Sequence, residues 1–181
     1  MRDLSLHILD LIENSIRAQA SVIGITIEVD PAADCLRLVV EDNGCGLNVS
    51  PEEASDPFYT TKSGKRTGLG LSLFRETAEQ AGGQMTIGKS DLGGVAVVAE
   101  MQLSHVDRIP LGDISATLSS VVCTNPAIDF RLRLRLGDRE SFLSAFGLGQ
   151  ELGVGRCGGL AVAQTIMERI RAQLEPYEAM V

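Results

Sequence analysis

Ten of the chain's 19 glycines fall between Gly44 and Gly94, and no other feature of its 181 residues constrains the fold as much. Glycine concentrates where backbone must turn sharply or pass close to a ligand. The runs flanking that stretch set the element order. Residues 22–30 (VIGITIEVD) and 35–41 (CLRLVVE) are β-branched and alternating, and Pro31-Ala32-Ala33-Asp34 between them predicts a hairpin. Ahead of them, residues 3–18 carry Leu4, Ile8, Leu11, Ile12 and Ser15 at helical spacing. Behind them, Asp42-Asn43-Gly44-Cys45-Gly46 is turn chemistry. Residues 47–67 lack periodicity and hold two prolines, which predicts a loop or lid. A helix is expected from about Leu69 to Ala81, closed by Gly82-Gly83, then a second hairpin of 84–88 and 94–101 around Gly93-Gly94.

Charge balance shifts after residue 103. Residues 1–103 hold 8 basic and 15 acidic side chains, residues 104–181 hold 8 and 9, and we place a domain boundary there. The second part predicts a helix capped by Asp113, with Ile114, Leu118, Val121 and Val122 on one stripe. A strictly alternating strand follows over 128–136. Six glycines in 147–159 predict a flexible joint before a last helix at about Leu160 to Leu174. Leu160, Ala163, Met167, Ile170 and Leu174 stand there at heptad spacing, either docking on their own domain or forming a homodimer or partner face.

Bulk features exclude several classes. Formal net charge is −8, which argues against nucleic-acid binding through bulk positive charge. No stretch approaches the roughly 20 apolar residues that span a bilayer. The start, MRDLSLHILDLIENS, carries charges within its apolar run and is no signal peptide, so no membrane and a cytoplasmic location are expected. Cys35, Cys45, Cys123 and Cys157 form no C-x-x-C pair and read as buried or semi-buried free thiols. Gly153-Val154-Gly155-Arg156-Cys157-Gly158 matches a dinucleotide-binding spacing, yet no strand precedes it. Arg131, Arg133 and Arg135 line one strand face, expected to be solvated or salt-bridged.

Four separated segments carry the chemistry: Asp10-x-x-Glu13-Asn14, Asp42-x-Gly44-x-Gly46, Pro57-Phe58-Tyr59-Thr60-Thr61-Lys62, and Gly68-Leu69-Gly70-Leu71-Ser72. Asp10 and Asn14 are four apart and share a helical face. A neutral carboxamide oxygen suits Mg²⁺, so Asn14 is the candidate metal ligand. Asp10, one turn away, could orient an attacking water or hydroxyl, as phosphoryl transfer requires. Asp42 at a strand end can accept a hydrogen bond from an adenine amino group, with Gly44 and Gly46 leaving room for the base and allowing positive φ. Gly68 and Gly70 open a helix whose free N–H groups and dipole favour phosphate, with Lys62, Lys65 or Arg66 swinging in from the lid. His7, on the same side of its helix, either borders the phosphates or is an ordinary surface histidine.

This set and order resembles the superfamily of ATPases named for gyrase, the heat-shock chaperone, histidine kinases and the mismatch-repair ATPase. IENSIRAQASVIGI is similar to the mismatch-repair and gyrase branch, and FYTTKSGKRTGLGLSL to the histidine-kinase branch. The resemblance implies an α/β two-layer sandwich, with helices over one face of a mixed, mainly antiparallel sheet and an α/β extension behind it. It implies an ATPase domain over 1–103 and an extension of unknown role over 104–181. It carries ATP contacts onto Thr61, Lys62, Lys65, Gly68, Leu69, Gly70 and Leu71. Val95 stands where a threonine that helps hold adenine is common, which hands that contact to Thr86 or a water. Arg17 and Gln19 replace an acidic residue and a glycine of the mismatch-repair-like stretch.

The opening RDLSLHILD and the stretch LSHVDRIPLGDISATL also resemble small stand-alone members often encoded beside bacterial iron-only hydrogenases. The sequence shows no helical hairpin with a phosphoacceptor histidine ahead of the ATPase unit, so a self-phosphorylating sensor is not expected. Residues 104–181 contain no lysine, which argues against the gyrase-type transducer. The expected function is binding of ATP and Mg²⁺, with hydrolysis or γ-phosphate transfer to an unnamed protein partner and Asp10 as base. The alternatives are an ATP-gated binding switch without chemistry and an anti-sigma-like serine kinase.

Overall fold

The computed structural model describes residues 3–46, 69–154 and 159–177. The predicted lid, with Thr61, Lys62, Lys65 and Gly68, lies outside the described residues, as does Cys157. The first helix, α1 (Leu4–Arg17), starts where the Asp3 carboxylate accepts from the Leu6 amide. Its stripe of Leu4, Ile8, Leu11, Ile12 and Ser15 is buried, as the spacing predicts. Strands β1 (Val22–Asp30) and β2 (Cys35–Asp42) form the expected antiparallel hairpin. Its turn is built by Asp30, whose Oδ1 accepts from the Ala32 and Ala33 amides, and by Asp34 at φ +51°. Helix α2 (Leu69–Gln80) leads into the second hairpin, β3 (Gln84–Lys89) and β4 (Val95–Gln102). Helix α3 (Ile114–Thr124) is capped by Asp113, as expected, and is followed by β5 (Asp129–Leu136) and β6 (Arg139–Ser144). Helices α4 (Ala145–Glu151) and α5 (Gly159–Leu174) and a 3₁₀ turn (Glu175–Tyr177) complete the described chain.

One six-stranded sheet holds all of this, in the order β3-β4-β2-β1-β5-β6. Every neighbouring pair is antiparallel except β1 and β5, which run parallel. This is the mixed, mainly antiparallel α/β architecture that the sequence implied. On one face Ile23, Ile25, Ile27 and Val29 lie opposite Phe130, Leu132, Leu134 and Leu136, and all eight are buried. Helix α1 packs against α2 and α3, and α5 against α3 and α4. The sheet therefore continues across residue 103, and residues after it contribute to the same core. Segment 110–111 also seals the open end of α1, where the Leu4 and Ser5 amides donate to the Pro110 and Leu111 carbonyls at 2.9 Å each.

The other face is polar and ordered. Gln84, Glu100, Arg37, Glu28, Arg135 and Glu140 stand in register across all six strands. Arg37 lies 3.3 Å from Glu100 and 3.7 Å from Glu28, and Arg135 lies 3.1 Å from Glu28. Opposite charges on directly facing positions support the pairing register. The three arginines of β5 are salt-bridged as expected: Arg131 to Asp129 at 2.8 Å, Arg133 to Glu140 at 3.5 Å, and Arg135 to Glu28.

Three expectations need correction. Residues 145–151, which overlap the start of the predicted flexible joint, form α4. Ser144 caps it by accepting from the Gly147 amide, and burial of Ala145 and Leu148 outweighs the low helix propensity of Gly147 and Gly149. On α5 the buried stripe is Val162, Ala163, Ile166, Ile170 and Leu174, turned from the heptad set so that Leu160 is exposed; it docks on α3. Cys45 and Cys123 are exposed rather than buried.

Candidate functional site

The end of β2, the start of β4 and helix α1 meet beside the turn after β2. Asp42, the last residue of β2, is only 4% exposed. Its Oδ2 accepts from Ser15 Oγ of α1 at 2.7 Å, and its Oδ1 accepts from the Gly44 amide at 2.9 Å and the Val95 amide at 3.3 Å. Buried carboxylates persist only with such partners. Gly94 makes this arrangement fit, since a Cβ there would stand 2.2 Å from Asp42 Oδ1 and 2.7 Å from the Gly44 nitrogen. Asn43 fixes the turn itself: its Oδ1 accepts from the Ser21 and Val22 amides at 2.9 Å each.

The two glycines of this turn serve different purposes. Gly46 has φ +78° with open space around it, whereas Gly44 lies where a Cβ would meet the Ala18 carbonyl oxygen at 2.7 Å. Close approach to the end of α1, not a positive φ, is what Gly44 provides. The end of α1 carries its own strained residue, Gln19 at φ +59°, in the place the resemblance gives to glycine.

Asp10 and Asn14 are half-buried on α1, one turn apart. The Asp10 carboxylate packs directly on the opening turn of α2, where a Cβ on Gly70 would lie 1.7 Å from Asp10 Oδ2. The first and last of the four motifs are thus in contact, with an acidic group at a helix N-terminus that favours negative charge. Leu71 packs against the core from the same turn, while for Leu69 only the backbone is described. Asn14 Oδ1 accepts from the Arg17 guanidinium, which also lies 3.8 Å from Glu13. No group of three or more His, Cys, Asp or Glu side chains converges among the described residues. What α1 offers is one neutral amide oxygen and one carboxylate, a donor set that fits a hard cation drawing its other ligands from phosphate and water.

Thr86 stands elsewhere. It is exposed on β3 and faces Val98 and, through it, Val39, on the sheet face opposite to that of Val40 and Asp42. The structure does not bring it to Asp42; the second hairpin reaches that residue through the Gly94 amide, which donates to the Asp42 carbonyl, and the Val95 amide, which donates to its carboxylate. His7 is not at the surface. It is 2% exposed, stacked on Phe74 of α2 with ring centroids 4.9 Å apart, and its Nε2 lies 3.3 Å from Thr77 Oγ1. Burial lowers its pKa from 6.5 to about 4, so the ring is neutral. Sequence reasoning missed Ser15 and Gly94. A lone serine in an apolar helical stripe was the available signal for the first.

Comparison with known proteins places this geometry. Residues 2–105 match the family described as histidine kinase-, DNA gyrase B-, and HSP90-like ATPase. The two-component sensor PprA of Pseudomonas aeruginosa is 40% identical over 65 residues, which are 35% of this chain and 7% of that protein. Among solved structures, the N-terminal domain of a DNA repair protein aligns with a TM-score of 0.50 at 16% identity, covering 80% of this chain and 53% of that one. The catalytic domain of histidine kinase ThkA, in a nucleotide-free form, aligns with a TM-score of 0.44 at 28% identity, covering 54% and 64%. This chain thus spans a small fraction of the sensor and under two thirds of each structure. Among the described residues, no helix is long and apolar enough to cross a membrane.

Proposed function

We propose, from the premise that this chain belongs to the histidine kinase-, DNA gyrase B- and HSP90-like ATPase family, that it binds ATP with Mg²⁺ and acts on the γ-phosphate. The observation that carries the reading is that α1 joins the motifs: its Asp10 lies against Gly70 and its Ser15, next to Asn14, bonds Asp42, from segments up to 60 positions apart in sequence. In this reading Asp42 accepts from the adenine amino group, using carboxylate capacity left by Ser15 and the two amides. Asn14 holds the cation. The start of α2, with Gly70, receives phosphate, and Thr61, Lys62, Lys65 and Gly68 join from the segment before it. Asp10 orients the attacking water or acceptor hydroxyl. The cation would neutralise developing charge on the phosphate oxygens. The γ-phosphate passes to water or to a protein partner.

Equilibrium binding of ATP to wild type and Asp42→Asn tests it. The variant should bind about 10–100-fold more weakly, the loss of a hydrogen bond to a charged group. Equal affinities would remove adenine from Asp42. One observation favours a second reading, an ATP-gated switch without chemistry: the short Asp10 side chain is already engaged against Gly70. Incubation with γ-labelled ATP separates the two, since phosphate release or transfer above an Asp10→Asn control is turnover and its absence is a switch.

A further inference from the structure

We propose that Arg17 gates the divalent cation, because its guanidinium holds the Asn14 carboxamide oxygen on which the cation would bind. The inference rests on the reading of this site as one for ATP and Mg²⁺. Arg17 is the basic residue of the last turn of α1, where a positive charge is favoured by the helix dipole. From there it reaches back one turn. One terminal nitrogen donates to Asn14 Oδ1, and the other lies 3.8 Å from Glu13 Oε2. Asn14 therefore does not present a bare oxygen to the site. It presents one that already accepts from a monovalent cation of the chain itself.

Two consequences follow from charge and coordination. Mg²⁺ on Asn14 Oδ1 would set two positive charges against the guanidinium that donates to the same oxygen, and that repulsion opposes holding both at once. Cation entry thus drives Arg17 to swing away. The side chains of Arg17 and Glu13 are about half exposed, at 46% and 54%, so this hold is a weak, solvent-screened one that can exchange. Until it does, Arg17 places a positive charge beside Asn14 and compensates part of the charge of a metal-free triphosphate bound there. Arg17 thereby narrows the difference between metal-free and metal-complexed nucleotide. It also sets the Mg²⁺ concentration at which binding changes from one form to the other.

The test is calorimetric titration of the full chain with ATP across a series of Mg²⁺ concentrations, from chelated to millimolar, for wild type, Arg17→Ala and Glu13→Ala. Arg17 is exposed, so its removal leaves the core intact. Arg17→Ala should weaken metal-free ATP binding and lower the Mg²⁺ concentration giving half of the metal-dependent tightening. The ratio of the two affinities should widen by about fivefold, the upper end for one exposed charge. Glu13→Ala, which loosens Arg17, should move the Mg²⁺ midpoint in the same direction by less. An Mg²⁺ midpoint and affinity ratio unchanged in Arg17→Ala, with wild type binding ATP normally, overturns the role of Arg17 alone. Absence of ATP binding by wild type overturns the ATP reading and the gate with it.

Discussion

A Cβ at position 70 would lie 1.7 Å from Asp10 Oδ2 and 2.8 Å from its Cγ. Gly70→Ala must therefore displace either the carboxylate or the start of α2. The displaced atoms are the end of a half-buried side chain, so the expected cost is about 1 kcal/mol, the low end for overpacking, measured as a lower urea midpoint. Asp10→Ala introduced beside it should restore most of that loss, because the conflict is between these two side chains; a double variant as unstable as Gly70→Ala would place the strain elsewhere. Asp10, Asn14 and Asp42 were legible in the sequence because each stands at a recognisable spacing within its own segment. Ser15 and Gly94 were not, since their partner is a single buried carboxylate that comes from elsewhere in the chain. Local spacing says nothing about that packing, and Gly94 looked like any hairpin glycine. Thr86 failed for a related reason: strand parity puts it on the opposite face of the sheet, which a motif alignment alone does not reveal.

Among the elements, the contact between α1 and α2 has a pH dependence of its own. His7 is buried against Phe74 with its Nδ1 unpartnered, and its pKa falls from 6.5 to about 4 on folding. Between those values the unfolded chain binds a proton that the folded chain does not. Stability should therefore decline as pH drops from about 6.5 toward 4, with no further contribution from this group below that. Urea unfolding at stepped pH, wild type beside His7→Phe, would show it as a slope that the variant lacks; identical slopes would assign the acid sensitivity to other groups. The first four strands were readable because each alternates strictly or is bounded by turn residues, and β5 likewise. β6 and α4 were not. Arg139-Glu140-Ser141-Phe142-Leu143-Ser144 puts Phe142, 56% exposed, on the polar face and Leu143 in the core, so hydropathy alone shows no clean period. α4 contains two glycines and forms because its buried side and its Ser144 cap outweigh them.

At the scale of the whole molecule, the change in charge balance near residue 103 does not coincide with a break in the sheet. β5 lies against β1 over eight paired positions, from Val22 with Asp129 to Val29 with Leu136. A chain ended at residue 103 would leave the edge of β1 unpaired, the first amides of α1 without the Pro110 and Leu111 carbonyls, and the α1 surface that meets α3 uncovered. Such a chain should be poorly soluble or associate through that edge, which size-exclusion chromatography would register; a monodisperse, folded fragment would show that residues 1–103 stand alone. The parallel pairing of β1 and β5 also has a consequence in time. Arg135 and its partner Glu28 are 107 residues apart. At a synthesis rate of about 5–20 residues per second, the amino-terminal hairpin emerges about 5–20 s before the strand that completes it. Throughout that interval β1 is an open edge, and the charges it carries against pairing with a neighbouring chain are Glu28 and Asp30.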